Sequence, residues 1–467
     1  MQSLFYEIDK NSNDQFWIPP DINILAESSN IIHGGILTEV KPTGKSHETY
    51  FRLTKSYLIG ISMSTSEIKK ATKLRWKIIE PFLEERKEDN KFGFRICFGN
   101  QSQYFYAKSS DDLDKWIDKL SRLAVMTDIE NDYKFLKQLG SGAFSIVYLA
   151  KDLDNFKQVA IKSFKKSYLN SESRINALKN EIEILSLLDH KNVVKLHKVY
   201  ESENHVHLVL DYLEGGDLLQ RILYKGPFDE KKASKLAYKL LSLLEYFSEM
   251  NVVHRDIKLD NILLVSSDKD TDFKLADFNL ACVSEGNLTA RCGSPGYVAP
   301  EILRKIPYGN KVDVFSVGIV LYMILSGHTP FSGRNSKQTL MKNKQCVINF
   351  NDQRWRSKTK SAIRAILILT QPDYRIRPSA KEALKFPWFS SFKEGKLVAD
   401  FGFGSCFVRP PQPNSTRLPD INQVSRRRRV SVDESSRINE INEAIFSGLM
   451  NSTKKRVRNL SRPIDED

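Results

Sequence analysis

Four polar side chains in two neighbouring segments offer the groups that phosphoryl transfer requires. Asp256, Lys258 and Asn261 fall within one short loop, and Asp277 follows in the next polar segment. A carboxylate in such a loop could orient a hydroxyl and take its proton, while a lysine could neutralise charge on a moving phosphate. Asn261 and Asp277 supply the hard oxygen ligands that Mg²⁺ prefers. The set favours phosphoryl transfer over hydrolysis.

Apolar segments flank the first loop and must position it. Asn251 to Val253 precedes it and Ile262 to Val265 follows it, which predicts buried backbone on both sides. The loop His254 to Asn261 resembles the H-R-D-L-x-x-x-N catalytic loop of eukaryotic protein kinases, and Asp277-Phe278-Asn279 resembles their D-F-G metal loop. The resemblance implies Asp256 and Lys258 as catalytic residues, and ATP and Mg²⁺ as cofactors. Asn279 replaces a glycine, which serves there a positive φ or a flexible flip, and asparagine tolerates the left-handed conformation best among the other residues. We expect the change to alter loop dynamics and to spare metal binding by Asp277.

The resemblance extends toward the N-terminus. Leu139 to Val147 is similar to the glycine-rich loop, where missing side chains let backbone N–H groups approach phosphates, although Ser145 replaces the third glycine. Lys162 matches the strand lysine of the family, and Glu181 on an apolar-periodic helix would pair with it. Glu183 is the nearest rival, but it lies on a different helix face.

Val206 to Leu213 leads into Glu214 to Asp217 and resembles the hinge between the two lobes of a kinase. The resemblance implies that the backbone of Asp211 and Leu213 meets adenine. The implied ATP-binding residues are Leu139, Gly140, Ser141, Gly142, Ala143, Phe144, Ser145, Val147, Ala160, Lys162, Leu210, Asp211, Leu213, Asp217 and Leu263.

Cys292 to Glu301 resembles the segment that receives the substrate peptide and ends in A-P-E. The resemblance implies that Glu301 pairs with Arg377 in a buried structural link and that Asp313 holds the catalytic loop. This segment and Phe386 to Phe389 look most like the calcium/calmodulin-dependent kinase group.

Arg255 stands where many kinases bind an activation-loop phosphate. The usual acceptor position is here Ala290, with Thr289 beside it. Either Thr289 is phosphorylated or no phosphate is needed. Lys258, two residues after Asp256, favours serine or threonine over tyrosine as the acceptor.

Residues 31 to 126 alternate short apolar or aromatic runs with turn-forming clusters such as Pro42-Thr43-Gly44, which predicts six or seven strands. A helix capped by Ser109 or Ser110 follows, with Trp116 on its apolar face. The segment resembles a pleckstrin-homology (PH) domain. The predicted strands are Ile36 to Val40, Thr49 to Leu53, Tyr57 to Ile61, Leu74 to Ile79, Phe92 to Phe98 and Gln103 to Ala107.

Phosphoinositide binding by this domain is predicted to be weak. Lys41 and Lys45 are present, but Thr49 stands where PH domains that bind these lipids tightly usually carry arginine. Bidentate phosphate binding is weakened without it. A protein-binding or regulatory docking role is favoured over specific phosphoinositide binding.

The composition fits an intracellular protein of several domains. The chain has 467 residues, a formal charge of +14 and five cysteines that form no C-x-x-C pair. The apolar run Val314 to Leu325 is too short to span a bilayer. We expect a cytoplasmic location, with peripheral contact to membranes, and no nucleic-acid partner, since no nucleic-acid module is visible.

The C-terminal tail is rich in proline, serine, asparagine and arginine without a steady period, which predicts disorder. Arg426 to Arg429 precede Ser431 as basophilic kinases prefer, and the resemblance implies that Asp217 and Asp260 read such arginines. Ser431 is then an autophosphorylation site or part of a pseudosubstrate, with a nuclear signal or a plain charge run as alternatives. Ile438 to Met450 could form a calmodulin-binding or docking helix.

These features predict an α+β multidomain protein: an irregular lead-in (1–30), a PH-like β-barrel with a C-terminal helix (31–126), a bilobal protein kinase domain (133–392) and a basic regulatory tail (393–467). The leading hypothesis is a serine/threonine kinase that uses Mg·ATP and acts on hydroxyls near basic residues. The alternative is a pseudokinase scaffold that binds partners or membrane through its N-terminal domain and tail.

Overall fold

The computed structural model describes residues 3–4, 16–40, 44–85, 91–142 and 144–390. Within them lie a β-rich N-terminal domain and a two-lobed unit with a β-rich first lobe and a helical second lobe. Several predicted sites lie outside the described residues: Lys41 of the N-terminal domain, Ala143 of the glycine-rich loop, and Ser431 and the helix Ile438 to Met450 of the tail.

The N-terminal domain follows the predicted meander, with seven strands and a C-terminal helix. Ser109 caps that helix by accepting from the Asp112 backbone N–H, and its apolar face buries Leu113, Trp116 and Leu120. The elements are helix α1 (Ile22–Glu27), strands β1 (His33–Val40), β2 (Ser46–Leu53), β3 (Tyr57–Ile61), β4 (Ile68–Lys73), β5 (Ile78–Glu84), β6 (Lys91–Phe98) and β7 (Gln101–Tyr106), and helix α2 (Ser110–Leu120).

The predicted strand from Leu74 to Ile79 is wrong for its first four residues, and only Ile78 and Ile79 belong to a strand, β5. Leu74 to Lys77 form a turn, closed by a hydrogen bond from the Lys77 N–H to the Leu74 carbonyl at 3.0 Å. Strands β4 and β5 lie on either side of it. Strand β4 was missed because its Ile68-Lys69-Lys70-Ala71-Thr72-Lys73 sequence carries too few apolar residues to show a period of two.

A short connection joins this domain to the first lobe of the two-lobed unit. It comprises strand β8 (Val125–Met126) and helix α3 (Ile129–Asp132). The first lobe contains strands β9 (Tyr133–Ser141), β10 (Ser145–Asp152) and β11 (Gln158–Lys165), helix α4 (Glu172–Leu187), and strands β12 (Leu196–Glu201) and β13 (His205–Asp211).

One thirteen-stranded sheet runs through both units, in the order β4-β3-β2-β1-β7-β6-β5-β8-β12-β13-β11-β10-β9. Strand β8 is the link, because Val125 and Met126 pair in parallel with Ile78 and Ile79 of β5 on one side. On its other side β8 pairs in parallel with β12. The hydrophobic core is also shared, since Trp116, Tyr200 and Val209 belong to one buried cluster.

The second lobe is helical. Its helix α8 (Lys311–Ser326) is buried along nearly its whole length, and this burial explains the long apolar run in its sequence. Its elements are helices α5 (Leu218–Lys225) and α6 (Glu230–Glu249), strands β14 (Val252–Val253), β15 (Ile262–Leu264), β16 (Phe273–Leu275) and β17 (Cys282–Val283), and helices α7 (Pro300–Arg304), α8 (Lys311–Ser326), α9 (Ser336–Gln345), α10 (Lys360–Leu369), α11 (Ala380–Ala383) and α12 (Pro387–Ser390).

Within the described residues, no helix combines the length and apolar character needed to cross a membrane.

Candidate active site

The carboxylate of Asp256 is the centre of a hydrogen-bond network in the second lobe. Asp256 is buried, and Lys258 Nζ lies 2.7 Å from its Oδ2. Its Oδ1 accepts from the Ser294 backbone N–H at 3.0 Å and from the Ser294 hydroxyl at 2.7 Å. Lys258 Nζ also donates to the Ser294 hydroxyl at 3.0 Å. The network fixes an acceptor oxygen and a cation side by side.

Asp313 holds the backbone of the loop that carries Asp256. Its carboxylate accepts from the backbone N–H groups of His254 at 2.7 Å and Arg255 at 2.8 Å. Arg255 has φ of 66°, in the left-handed region that non-glycine residues seldom adopt. The His254 ring packs edge-on against Phe278 at 4.7 Å between centroids. Asp313 therefore stabilises a strained loop conformation, as the resemblance implied.

Three charged side chains meet between the lobes. Lys162 on β11 donates to Glu181 of α4 at 2.7 Å and to Asp277 at 3.0 Å. Burial opposes the charge of Lys162, but the two carboxylates outweigh it and raise its pKa, so the ammonium stays protonated. Glu181 is buried, whereas Glu183 lies on a different face of α4 and pairs with Arg75. The structure thus brings together the predicted pair.

Asn261 and Asp277 lie at the same end of a two-stranded ribbon. Strand β15 pairs with β16 through Ile262 and Leu275, and the Ala276 N–H donates to the Asn261 carbonyl at 2.9 Å. The Asn261 side-chain NH₂ donates to the Asp256 carbonyl at 2.8 Å, which leaves its amide oxygen for a cation.

The donor set of Asn261 and Asp277 fits Mg²⁺. Burial raises the pKa of Asp277, but Lys162 outweighs that effect and holds it below its ordinary value, so this carboxylate is ionised. An amide oxygen and an ionised carboxylate are the hard ligands that Mg²⁺ takes, with water and substrate phosphates completing its shell.

Asn279 does not adopt the left-handed conformation invoked for it. Among the described residues of this segment, Asp277 has the positive φ, at 64°, while Asn279 is exposed on the following turn. The glycine-to-asparagine change therefore places no strain on the backbone in this conformation.

The described members of the predicted ATP-binding set lie on elements of both lobes. Strands β9 and β10 form the glycine-rich hairpin, where Val147 pairs with Gly140 and Ser141 with Ile146. At its tip the Gly142 N–H donates to the Ser145 carbonyl at 2.8 Å. Phe144 is exposed and lies 4.6 Å from the Arg174 guanidinium.

The hinge packs closely against strand β15 of the second lobe. Leu210, the residue before the last of β13, pairs with Ala160 of β11, so these two predicted residues are neighbours. Leu139 and Leu213 are half-buried. Gly215 must be glycine, because a Cβ there would lie 2.6 Å from the Leu264 carbonyl oxygen. This close approach pairs Asp217 with Leu263 in a β-bridge.

The side chain of Asp211 has a structural role that the sequence did not reveal. It lies 2.7 Å from His197 Nε2 and 2.5 Å from Lys274 Nζ. Burial opposes its ionisation, but these partners hold its pKa well below the ordinary range. The carboxylate joins β12, β13 and β16 while its backbone remains at the hinge.

Two acidic side chains predicted to read substrate arginines lie around Tyr297. Burial raises the pKa of Tyr297, and the negative charges of Asp260, Asp256 and Asp217 raise it further. Asp260 is exposed, and Asp217 caps α5 by accepting from the Gln220 N–H at 2.7 Å. Both carboxylates therefore act electrostatically on Tyr297, which belongs to the segment that follows Ser294.

The guanidinium group of Arg255 makes its hydrogen bonds to other residues of the protein and not to a phosphate. Its Nε donates to the Leu280 carbonyl at 2.6 Å, and its Nη1 donates to the Tyr308 hydroxyl at 3.4 Å. Tyr308 in turn donates to the Ala290 carbonyl at 2.6 Å. Thr289 is exposed beside this chain of contacts.

The predicted link between Glu301 and Arg377 is present and buried. Arg377 Nη1 and Nη2 donate to the two Glu301 carboxylate oxygens at 2.6 and 3.0 Å. Arg377 is 0% exposed and also donates to backbone carbonyls of Gln371 and Lys311. The pair anchors α7 to the helical lobe.

Ser294 is a candidate site residue that the sequence analysis did not single out. It contacts both Asp256 and Lys258. Its place in Cys292 to Glu301, the segment expected to face the substrate, was the available signal.

Comparison with known proteins agrees with this geometry. Residues 133–389 match the family profile described as "Protein kinase domain", which is more than half of the chain. The chain belongs to the protein kinase family. Residues 31–125 match the profile described as "PH domain".

Similar proteins include the probable serine/threonine-protein kinase 2 of Plasmodium falciparum, 36% identical over 296 residues, 63% of this chain and 57% of that protein. Calcium/calmodulin-dependent protein kinase type 1 of Macrobrachium nipponense is 37% identical over 295 residues, 63% of this chain and 83% of that protein. Type 1B of Homo sapiens is 35% identical over 264 residues, 56% of this chain and 76% of that protein. The chain thus spans 57% of the first relative and most of the other two.

These matches confirm the predicted class of enzyme, a serine/threonine protein kinase preceded by a PH domain and resembling the calcium/calmodulin-dependent group. The predicted α+β multidomain fold is confirmed as well.

Proposed function

We propose that this kinase is catalytically active and transfers the γ-phosphate of ATP to serine or threonine hydroxyls that follow basic residues. The observation that carries the proposal is the Asp256 network: a buried carboxylate within 2.7 Å of Lys258 and of the Ser294 hydroxyl, beside the Lys162, Glu181 and Asp277 group. These are the groups the reaction requires.

The proposed reaction is a single displacement. The substrate hydroxyl oxygen forms a bond to the γ-phosphorus as the bond from that phosphorus to the bridging oxygen of ADP breaks. Asp256 accepts the hydroxyl proton, and Lys258 offsets negative charge on the transferring phosphoryl group. Lys162, held by Glu181, binds the α- and β-phosphates. Mg²⁺ on Asn261 and Asp277 would neutralise phosphate charge and fix the orientation of the phosphates.

The test compares wild type with Asp256→Asn on a peptide that carries arginines before its serine. Loss of a general base costs typically 10²- to 10⁴-fold in rate, so we expect kcat to fall by about that factor. Equal transfer by both proteins would refute the assignment, and no transfer by either would favour the pseudokinase alternative.

Specificity has a separate test. Asp217→Asn and Asp260→Asn remove one negative charge each, and asparagine preserves the cap of α5 because it caps as well as aspartate. We expect KM to rise for the arginine peptide and to stay unchanged for a peptide without arginines. An equal rise for both peptides would contradict charge recognition.

Regulation by the N-terminal domain and tail is also proposed. Lys45 is exposed while Thr49 is buried and uncharged, which supports weak contact with acidic lipid headgroups and a cytoplasmic enzyme that visits membranes. Sedimentation with vesicles, with and without phosphoinositides, measures this contact. Adding calcium and calmodulin to the peptide assay and mapping phosphate on Ser431 test the predicted tail functions. Mapping phosphate on Thr289 tests the predicted role of the activation loop.

A further inference from the structure

A turn of the PH domain reaches the helix that carries Glu181. The turn spans Leu74 to Lys77, and its third residue, Trp76, has φ of 66°. Bulky residues rarely adopt this left-handed conformation, and they keep it where surrounding contacts fix it. Contacts around Trp76 therefore hold the turn in its shape.

Those contacts come from helix α4. Arg75 Nη2 lies 3.1 Å from Glu183 Oε1, and Lys179 Nζ lies 5.5 Å from the centre of the Trp76 ring. Trp76 is 9% exposed and belongs to the same buried cluster as Leu178 and Ile182 of the helix. The turn thus meets α4 through an ion pair, a cation–π contact and apolar packing.

The phase of the helix places the two charged contacts, at Lys179 and Glu183, opposite the active site. Lys179 and Glu183 are four residues apart and share one face of α4. Glu181 is two residues from each, so its side chain points about 200° away around the helix axis. The PH domain therefore packs on the outer face of α4 while Glu181 faces Lys162.

Strand pairing fixes how far the turn stands from the kinase. Strand β5 begins at Ile78, directly after the turn, and Ile78 pairs with Val125 of β8. Val125 pairs in turn with Val199 of β12 in the kinase sheet. Because backbone hydrogen bonds set this spacing, the turn cannot move away from α4 without breaking the shared sheet.

We propose that Arg75 and Trp76 are positioning residues for the kinase reaction. By packing on the outer face of α4, they keep Glu181 on Lys162, and Lys162 is thereby held for the phosphates of ATP. The PH domain then supports phosphoryl transfer from within the same chain. This inference rests on the proposed kinase activity.

The test exchanges the charges of the exposed pair in the full chain. Arg75→Glu and Glu183→Arg each place like charges together, and the double variant restores an attractive pair. Exposed pairs are worth little, so we expect each single variant to lower kcat/KM for ATP by about three- to fivefold and the double variant to recover to within about twofold. KM for the peptide is expected to stay unchanged, because the proposed ligand of Lys162 is ATP and not the peptide.

A matched control pair lies elsewhere on the PH domain. Arg122 Nη2 is 2.8 Å from Asp118 Oδ1, with 58% and 46% of these side chains exposed, close to the 50% and 43% of Arg75 and Glu183. Arg122→Glu is expected to leave the kinetics unchanged. Single variants that match wild type, or a double variant that stays as slow as the single ones, would overturn the proposal.

Hydrogen exchange separates failure of this proposal from failure of the proposed function. Backbone amides of Glu172–Leu187 should exchange faster in Arg75→Glu and return to the wild-type rate in the double variant. If wild type transfers no phosphate, the proposed function fails, and unchanged exchange in Arg75→Glu would then overturn the positioning role as well. Trp76→Phe should keep the wild-type exchange rate, whereas Trp76→Ala should not.

Discussion

Replacing Asp313 by asparagine should slow the kinase without removing a group that touches substrate. The Asp313 carboxylate accepts two backbone N–H groups, from His254 and Arg255, at 2.7 and 2.8 Å. The asparagine side chain has the same shape but only one acceptor oxygen. Its NH₂ group would face one of the two N–H groups, and that hydrogen bond would be lost.

The size of the effect follows from the bond that is lost. A hydrogen bond to a charged group contributes about 1.5–3 kcal/mol, and a factor of ten in rate corresponds to about 1.4 kcal/mol. If the loss falls on the strained conformation of Arg255, and so on the placement of Asp256, we expect kcat to fall by about 10- to 100-fold. KM for ATP should change little.

The same residue sets an expected pH dependence. Burial raises the pKa of Asp313 to about 6, although the two backbone N–H groups and the Arg255 charge oppose the rise and the Asp256 charge adds to it. Burial lowers the pKa of His254 to about 4, so that ring is neutral near pH 6. The ionised Asp313 accepts both N–H groups, and we therefore expect kcat to rise as pH increases through about 6.

Stability should change in the opposite direction over the same range. The folded state binds the Asp313 proton more tightly than the unfolded state, whose carboxyl has the ordinary value of 3.8. Protonation therefore stabilises the fold below pH 4, and this contribution is lost as pH rises through about 6. The difference corresponds to about 3 kcal/mol.

The assay is the pH profile of kcat between pH 5 and 8 for wild type and Asp313→Asn, together with urea unfolding. Asp373→Asn is a control in the same lobe, because that carboxylate lies on the surface beside Arg375. We expect the acidic limb near pH 6 in wild type and its absence in Asp313→Asn. A variant with wild-type kcat, or one that keeps the limb unchanged, would refute the reasoning.

Three further outcomes are expected from the contacts. Ser294→Ala removes one hydrogen bond to Asp256 and should lower kcat about tenfold with little change in KM for ATP, whereas an unchanged kcat in steady-state assays would contradict the role. Thr289→Ala should leave kcat within about twofold, whereas Tyr308→Phe should lower it severalfold, because the tyrosine hydroxyl already bridges Arg255 and the activation segment. A larger loss of kcat in Thr289→Ala than in Tyr308→Phe, in the same peptide assay, would show that phosphate is needed. Arg377→Ala leaves a buried carboxylate unpaired and should cost about 3–5 kcal/mol in urea unfolding, so a loss below about 1 kcal/mol would count against the buried link.

The chemistry of the site could be predicted because the residues that define it lie close together in short segments of the sequence. Asp256, Lys258 and Asn261 are fixed by one loop, and the register of one helix was enough to choose Glu181 over Glu183. Such residues are recognisable from the sequence because residues close together in one loop or one helix are also close together in the folded protein. The left-handed conformation was assigned to Asn279 and belongs to Asp277, because backbone angles are not carried by residue type alone.

Contacts between distant segments could not be predicted in the same way. Trp76 lies about a hundred residues before the helix it contacts, and its turn was predicted to be part of a strand. The link through β8 rests on Val125 and Met126, which are too short a run to show any period. The hydrogen-bond partners of the Asp211 carboxylate, His197 and Lys274, follow only from the pairing of three strands.

The link through β8 also bears on how the kinase can be shortened. Strand β12 has β13 on one side and β8 on the other, so both of its edges are paired. A chain that begins at Tyr133 would lack β8 and would present the backbone N–H and C=O groups of Val199 and Tyr200 as an open sheet edge. Open edges with apolar neighbours recruit strands from other molecules. We therefore expect the N-terminal domain to protect the kinase from self-association, and a catalytic fragment without it to self-associate more than the full chain, which sedimentation of both proteins would measure.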